Sequence, residues 1–272
     1  MTDTKRLYYE DVYIKEFSAK VVECRKEEKG FQVILDQSAF YPEGGGQPSD
    51  LGILGDTAVT DVQEKNGELI HYVKSELEPG TEVIGKIDWQ RRFDLMQQHS
   101  GEHIVSGLVH EAYGYNNVGF HMSSDVITID FSGVLDEKQL AEIEEKTNRN
   151  IWEDNPVEIF YPDKEELAAL PYRSKKELTG KIRLVRFPGA DLCACCGTHV
   201  THTGEIGMVK ILSVENFREG VRVTMISGKR VLDYLNMVNE QNHKVSVKLS
   251  AKATETARAV ERLQEENYRL KG

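Results

Sequence analysis

Two short pairs of soft ligands, about ninety residues apart, constrain this chain more than any other feature. One is His99-Ser100-Gly101-Glu102-His103, the other Cys195-Cys196-Gly197-Thr198-His199. Residues four apart on a helix stand one above the other, so His99 and His103 would present both imidazoles on one face. Cys195 and His199 share that offset and can close a tetrahedral site from the opposite side. Such a fold must bring two distant segments together. Three histidines and one cysteine form a borderline-soft set that favours zinc over iron or copper. Cys193 and Cys196 compete with Cys195, but only Cys195 lies four residues from His199. His71, His110, His121 and His243 read as surface or core residues, and His202 is a further candidate close to the cysteine cluster.

The cysteines support a metal. Cys24 stands alone and reads as a small strand residue, whereas Cys193, Cys195 and Cys196 crowd into four positions. Neighbours that close are poor disulfide partners, and a reducing compartment favours metal binding. No apolar run approaches the roughly 20 residues that span a bilayer, and no apolar stretch follows the basic residues at the N-terminus. A cytoplasmic protein without a membrane partner is expected. The net charge of −11 argues against a general nucleic-acid coat protein. The charge is uneven: from Gly228 onward nine Lys and Arg stand against six Asp and Glu.

Along the chain, residues 7–89 read as short strands: 13–17, 18–24, 31–36, 58–63, 69–73 and 82–87. Lys65-Asn66-Gly67 and Glu78-Pro79-Gly80 punctuate them. Many short strands at close spacing predict a small antiparallel β-barrel. Within it lies Phe40-Tyr41-Pro42-Glu43-Gly44-Gly45-Gly46-Gln47-Pro48-Ser49-Asp50. Its three glycines let backbone approach a ligand, while its aromatic and proline flanks stiffen it. A helical pattern begins near Arg91, with Phe93, Met96, Ile104, Leu108 and Val109 beside the two histidines. Strands are expected at 117–122, 126–131, 157–161, 181–187, 206–212 and 221–226. A helix over 137–150 is capped by Asp136, and a short one covers 164–170. The fold class is therefore α+β, with a barrel domain over 1–90, a zinc-bearing core over 91–228 and a helical tail over 229–272. The tail reads as one long helix. Leu249, Ala253, Thr256, Val260, Leu263, Asn267 and Leu270 follow a coiled-coil spacing that predicts a partner helix, either from a second subunit in a homodimer or from residues beyond this chain. The pattern runs to Gly272 without a stop signal.

Two zinc-enzyme classes can be set against this pattern. His99-x-x-Glu102-His103 matches the helix of inverted zinc proteases, with Glu102 activating water, but that reading leaves the cysteine cluster unexplained. A zinc deaminase would need His-x-Glu with Pro-Cys-x-x-Cys, which does not occur. A purely structural zinc is the main alternative, because four protein ligands close a site whereas catalytic zinc usually keeps one position open.

Taken together, the Phe-Tyr-Pro-Glu-Gly-Gly-Gly-Gln segment at 40–47, the His99/His103 pair, Cys-x-Gly-Thr-His-Val at 195–200 and Thr-Gly-Glu-Ile-Gly at 203–207 resemble the alanyl-tRNA synthetase editing domain. They come in the same order, and the free-standing AlaX trans-editing proteins look most similar. The resemblance runs from the barrel to about Gly228. Threonyl-tRNA synthetase editing domains share both metal pairs but not the Gly-rich loop. Long AlaX members continue past a coiled coil into a further tRNA-binding domain, so the resemblance implies that this chain stops within that helix.

The resemblance implies hydrolysis of the ester joining chiefly serine, with glycine as a second substrate, to the 3′ adenosine of tRNA(Ala). A pocket shaped for alanine rejects serine only weakly by size, so a second site selecting the hydroxyl makes physical sense. It implies zinc held by His99, His103, Cys195 and His199, with Ser38, Gly44, Gly45, Gly46, Gln47 and Thr198 about the substrate. Ser38 stands where many relatives have threonine. No side chain is assigned as the catalytic base. Zinc would either lower the pKa of an associated water or place the 3′ end. A noncatalytic tRNA-binding module with structural zinc is the competing reading.

Overall fold

The computed structural model describes residues 4–174 and 180–271. The first eight strands are β1 (Lys5–Arg6), β2 (Glu16–Glu27), β3 (Gly30–Leu35), β4 (Gln37–Ser38), β5 (Gly52–Leu54), β6 (Thr57–Lys65), β7 (Glu68–Val73) and β8 (Glu82–Ile87). Six of them pair in a closed ring, β2-β3-β7-β6-β5-β8, while β1 and β4 form a separate parallel pair. Strict alternation explains the ring. Phe17, Ala19 and Val21 of β2 point inward, as do Val83 and Ile87 of β8. Register shifts at Val21/Glu23 and Val59/Asp61 bend β2 and β6, the local kink that lets a small sheet curl onto itself. The separate strands expected over 13–17 and 18–24 are largely one strand, β2. Strand β5 gave no signal beforehand, having only three residues after a loop rich in proline and glycine.

Helix α1 (Trp89–Tyr113) leaves the barrel directly. Asp88 caps it by accepting from the Arg91 amide, and Gly114, in the left-handed region, closes it through an amide bond to the His110 carbonyl. From Leu95 to Val109 every residue is buried. Without side chains at Gly101 and Gly107, the helix lies against Ser227 and the Ala190 carbonyl, where a Cβ would clash.

Beyond α1 come β9 (Asn117–Met122), β10 (Ile127–Phe131), α2 (Glu137–Trp152), β11 (Glu158–Phe160), α3 (Lys164–Ala169), β12 (Leu184–Phe187), β13 (Asp191–Ala194), β14 (Val209–Phe217) and β15 (Gly220–Ser227). One sheet runs β14-β15-β10-β9, a second β11-β12-β13. Asp136 caps α2 in a reciprocal box with Gln139. The core gathers Met96, Ile104 and Val105 of α1 with Ile127, Ile129, Val223 and Met225 of the larger sheet.

Barrel and core meet at a fully buried ion pair. Arg92 Nε donates to both Asp50 oxygens at 2.8 and 2.9 Å, while its other nitrogens donate to the Ala39 and Val12 carbonyls at 2.6 and 3.0 Å. Asp50 also accepts the Tyr41 amide at 2.6 Å. This pair fixes the Gly-rich loop and α1 relative to each other.

Met1–Gly228 form one compact unit and Lys229–Gly272 a second. The second unit corrects the expectation of a single long helix: it holds α4 (Lys229–Lys248) and α5 (Thr256–Lys271). Ser250 adopts a left-handed φ of 48°, the Ala251 amide reaches back to the Ser246 carbonyl, and the Ser250 amide reaches the Val247 carbonyl. This is a Schellman stop built on serine where glycine is usual. Asn242 then holds the turn by donating to the Ala253 carbonyl and accepting from Thr256 Oγ1. Ala253 thus lies between helices, and the seam drawn through Leu249, Ala253 and Thr256 is interrupted. Among the described residues, no helix is long and apolar enough to cross a membrane.

Candidate metal centre

The two ligand pairs converge. One ligand atom each from His99, His103, Cys195 and His199 lies within 4.8 Å of the others. Cys195 Sγ is 3.6 Å from His99 Nε2 and 3.4 Å from His199 Nε2. Metal–ligand bonds of about 2.3 Å to sulfur and about 2.0–2.1 Å to nitrogen put tetrahedral S···N edges at about 3.6 Å. The donor set and its spacing therefore fit zinc.

His99 and His103 face each other along α1 as the helical offset requires, their rings 5.2 Å apart. The second pair differs from the first in its backbone: Cys195 and His199 sit in an irregular loop after β13. Gly197 makes that loop possible, because a Cβ there would fall 2.2 Å from His99 Cε1.

Each imidazole is aimed by its outer nitrogen. His99 Nδ1 donates to Gln47 Oε1 at 2.8 Å, His103 Nδ1 bonds Asp191 Oδ2 at 2.8 Å, and His199 Nδ1 faces Ser100 Oγ at 3.4 Å. Outer partners of this kind fix ring tautomer and orientation. Asp191 is held in turn by Arg173, whose Nε and Nη2 reach its two oxygens at 2.7 and 2.8 Å. Asp191 and Arg173 carried no motif in the sequence. The available signal was the position of Asp191 on β13, where it alternates with Cys193 and both are buried; Arg173, in a loop, offered none.

The metal-free electrostatics suit a cation. Burial alone would raise the Cys195 thiol, but His99, His199 and His103 surround it and hold it well below the ordinary thiol value. Burial likewise opposes charge on His103, yet the Cys195 thiolate and Asp191 raise it to about 10. Burial and the nearby His99 depress His199 to about 3. A bound metal would displace the proton from His103, so affinity falls as pH falls.

The barrel supplies one wall. Gly44 and Gln47 exchange backbone hydrogen bonds at 3.0 Å across Gly45 and Gly46, both at positive φ, forming a two-residue hairpin turn. Gln47 accepts from His99 Nδ1 and from the Thr198 amide (3.1 Å), and donates to Thr198 Oγ1 at 2.7 Å. Gly46 packs on Phe120, which stacks on His99. Gln47, Thr198 and Gly46 are thereby brought to the cluster. Ser38 has other partners: its Oγ lies 2.7 Å from His71 Nε2 and accepts the Phe40 amide at 3.1 Å. His71 Nδ1 donates to the Val33 carbonyl, so the Ser38 hydrogen is engaged by His71, which burial holds neutral with a pKa of about 4.

Glu102 points elsewhere. Its Oε1 accepts from Ser106 Oγ at 2.6 Å and from Asn117 Nδ2 at 2.5 Å, so the protease reading loses its water-activating carboxylate. Cys193 is buried, and among the described residues it forms a second close group with His103 and Asp191; Cys196 is exposed.

Asp191→Asn is expected to weaken metal affinity by about 10- to 100-fold, because His103 would lose its carboxylate partner. Competition against a chromogenic chelator measures this. Unchanged affinity would remove Asp191 from the support of the site.

The geometry defines an α+β protein with a buried His3Cys centre walled by a barrel loop. The family model described as tRNA synthetases class II (A) matches residues 2–91, and that for the threonyl and alanyl tRNA synthetase second additional domain matches 182–222. The chain is 35% identical over 244 residues to the alanyl-tRNA editing protein AlaX-L of Pyrococcus horikoshii, covering 86% of this chain and 60% of that relative. It is 33% identical over 277 residues to the alanyl-tRNA editing protein Aarsd1 of Danio rerio, covering 96% and 67%. Against an alanine–tRNA ligase of Ignicoccus hospitalis the identity is 34%, covering 98% of this chain but 31% of the ligase. The chain belongs to the alanyl-tRNA editing protein family. It spans well under the full length of these relatives.

Proposed function

We propose that this chain is a cytoplasmic trans-editing hydrolase that removes serine, and also glycine, from mischarged tRNA(Ala). Zinc is held by His99, His103, Cys195 and His199. The observation that carries the reading is Gln47: one side chain of the Gly-rich barrel loop bonds both His99 and Thr198. The loop that the resemblance implies at the amino acid is thus joined to the metal cluster. When bound, zinc would supply a Lewis acid beside the ester or anchor its 3′ end. The chain's own part is orientation and selection. Gln47 holds the His99 tautomer, Asp191 aims His103, and Phe120 and the barrel turn shield the His99 face.

In this reading Ser38, Gly44, Gly45, Gly46, Gln47 and Thr198 form the substrate pocket. With its hydrogen on His71 and one lone pair on the Phe40 amide, Ser38 Oγ retains one lone pair, suited to accept from a serine hydroxyl. Ser38→Ala is then expected to reduce the preference for serine over alanine esters about tenfold, the effect of one hydrogen bond of about 1.4 kcal/mol. Zinc content should be unchanged; unaltered selectivity would take Ser38 out of the pocket.

The division into barrel (1–90), editing core (91–228) and tail (229–272) belongs to the same proposal, as does self-association through the tail, where Leu263 and Leu270 are exposed. The test of the function is hydrolysis of purified Ser-tRNA(Ala) and Gly-tRNA(Ala) beside Ala-tRNA(Ala). The first two should be deacylated and the last spared; equal rates on all three would reject selection at this site.

A further inference from the structure

One patch beside the metal loop is used neither by the cluster nor by the barrel turn. Tyr9 is 37% exposed, and its hydroxyl donates to the Cys196 carbonyl at 3.2 Å. The Arg183 guanidinium lies 5.2 Å from the Tyr9 ring centre, while its Nη1 donates to the Cys195 and Gly197 carbonyls at 2.7 and 3.1 Å. Immediately beyond the Phe160–Leu184 pair of β11 and β12 stands Tyr161, 42% exposed, with Lys181 Nζ 4.5 Å above its ring. Tyr161 is also within electrostatic reach of Tyr9. The nearby acid Glu64 is paired with Arg6 at 3.0 Å. Tyr9 with Arg183 therefore borders the backbone that carries Cys195, and Tyr161 with Lys181 adds a second exposed ring and cation close to Tyr9.

Exposed rings offer faces to any base, and an exposed lysine such as Lys181 beside them meets backbone phosphate, the combination by which proteins hold single-stranded nucleic acid. A folded duplex would present phosphates but no base faces. We infer that Tyr9, Tyr161, Lys181 and Arg183 form the platform on which the unpaired 3′ nucleotides of the RNA lie as the ester enters the centre. The inference rests on the reading of the chain as an aminoacyl-tRNA deacylase, and adds to it where the strand runs. Arg183 joins the two functions, since the guanidinium stacked on Tyr9 also grips the loop of Cys195.

The test uses the zinc-loaded full chain and a 5′-fluorescein-labelled single-stranded RNA octamer ending in CCA, followed by fluorescence anisotropy. Tyr161→Ala and Tyr9→Ala should each weaken binding about tenfold, in line with loss of one stacked base. Lys181→Ala should weaken it and lower the salt slope by about 0.7. Tyr9→Phe, which keeps the ring and loses the Cys196 bond, should bind as the parent does. Should Tyr9→Ala lose zinc, Tyr161→Ala decides, because among the described residues no hydrogen bond joins Tyr161 to the metal loop. Parent-like binding by both Tyr161→Ala and Lys181→Ala would overturn the platform, and so would equal competition by a blunt duplex. If those variants match a parent that still deacylates Ser-tRNA(Ala), the platform alone fails; a parent that neither binds the octamer nor hydrolyses the ester removes the underlying function as well.

Discussion

Cys195→Ala and His103→Ala are each expected to lose zinc and to hydrolyse Ser-tRNA(Ala) at least about a hundredfold more slowly than the parent. Outer partners of a metal site already cost about 10- to 100-fold when removed, and a direct ligand should cost more. The two variants remove different things. Cys195→Ala takes away the thiolate at the middle of three imidazoles, leaving them mutually repulsive once protonated. His103→Ala strands Asp191 and Arg173 behind an empty position, since Asp191 Oδ2 bonds His103 at 2.8 Å. Cys193→Ala and Cys196→Ala are the controls, and each should retain zinc and activity within a few-fold. Metal analysis on the purified variants, with deacylation rates from the same preparations, checks the set. A parent-like rate in Cys195→Ala would sink the ligand assignment.

The second large effect concerns stability. Arg92→Ala or Asp50→Ala should each destabilise the unit formed by residues up to Gly228 by about 3–5 kcal/mol, the cost of leaving one buried charge without its partner. The side chains are 0% and 1% exposed, so water cannot compensate. For a unit of this size that corresponds to a fall in melting temperature on the order of 10 °C. Replacing both, as Arg92→Met with Asp50→Leu, should cost less than the two single losses added together, because no lone charge remains. The double variant still leaves the Val12 and Ala39 carbonyls and the Tyr41 amide without partners, so it will not match the parent. Thermal unfolding of the three variants measures the coupling, and strict additivity would show that the pair does not act as one.

The four residues of the cluster could be picked out from the chain because histidine and cysteine are rare and their offsets are strict. The residues that aim them were harder to see. Asp191 and Arg173 are common residue types whose meaning comes from a register, β13 against β12, and from a loop, neither of which leaves a local pattern. Gln47 was legible as part of the Gly-rich segment, but its bond to His99 depends on contact between barrel and helix. The strands of the barrel followed from alternation, apart from β5, which is too short to alternate. The offset of Cys195 and His199 looked like that of a helix, yet Gly197 under His99 imposes a loop. In the tail the heptad spacing continued across residues 249–255 because apolar spacing does not register a stop. The break comes from Ser250 in a left-handed conformation, which glycine would have announced and serine does not.

The most direct measurement follows hydrolysis of Ser-tRNA(Ala) and Ala-tRNA(Ala) by the full chain as isolated, after zinc is stripped, and after it is restored, with circular dichroism on each sample. An editing role for this zinc predicts that the serine ester is cleaved and the alanine ester spared, that stripping abolishes cleavage while the fold persists, and that one equivalent of zinc restores it. Stoichiometric zinc in a folded protein that cleaves neither ester would contradict it, as would cooperative unfolding on stripping, which would make the metal a structural one.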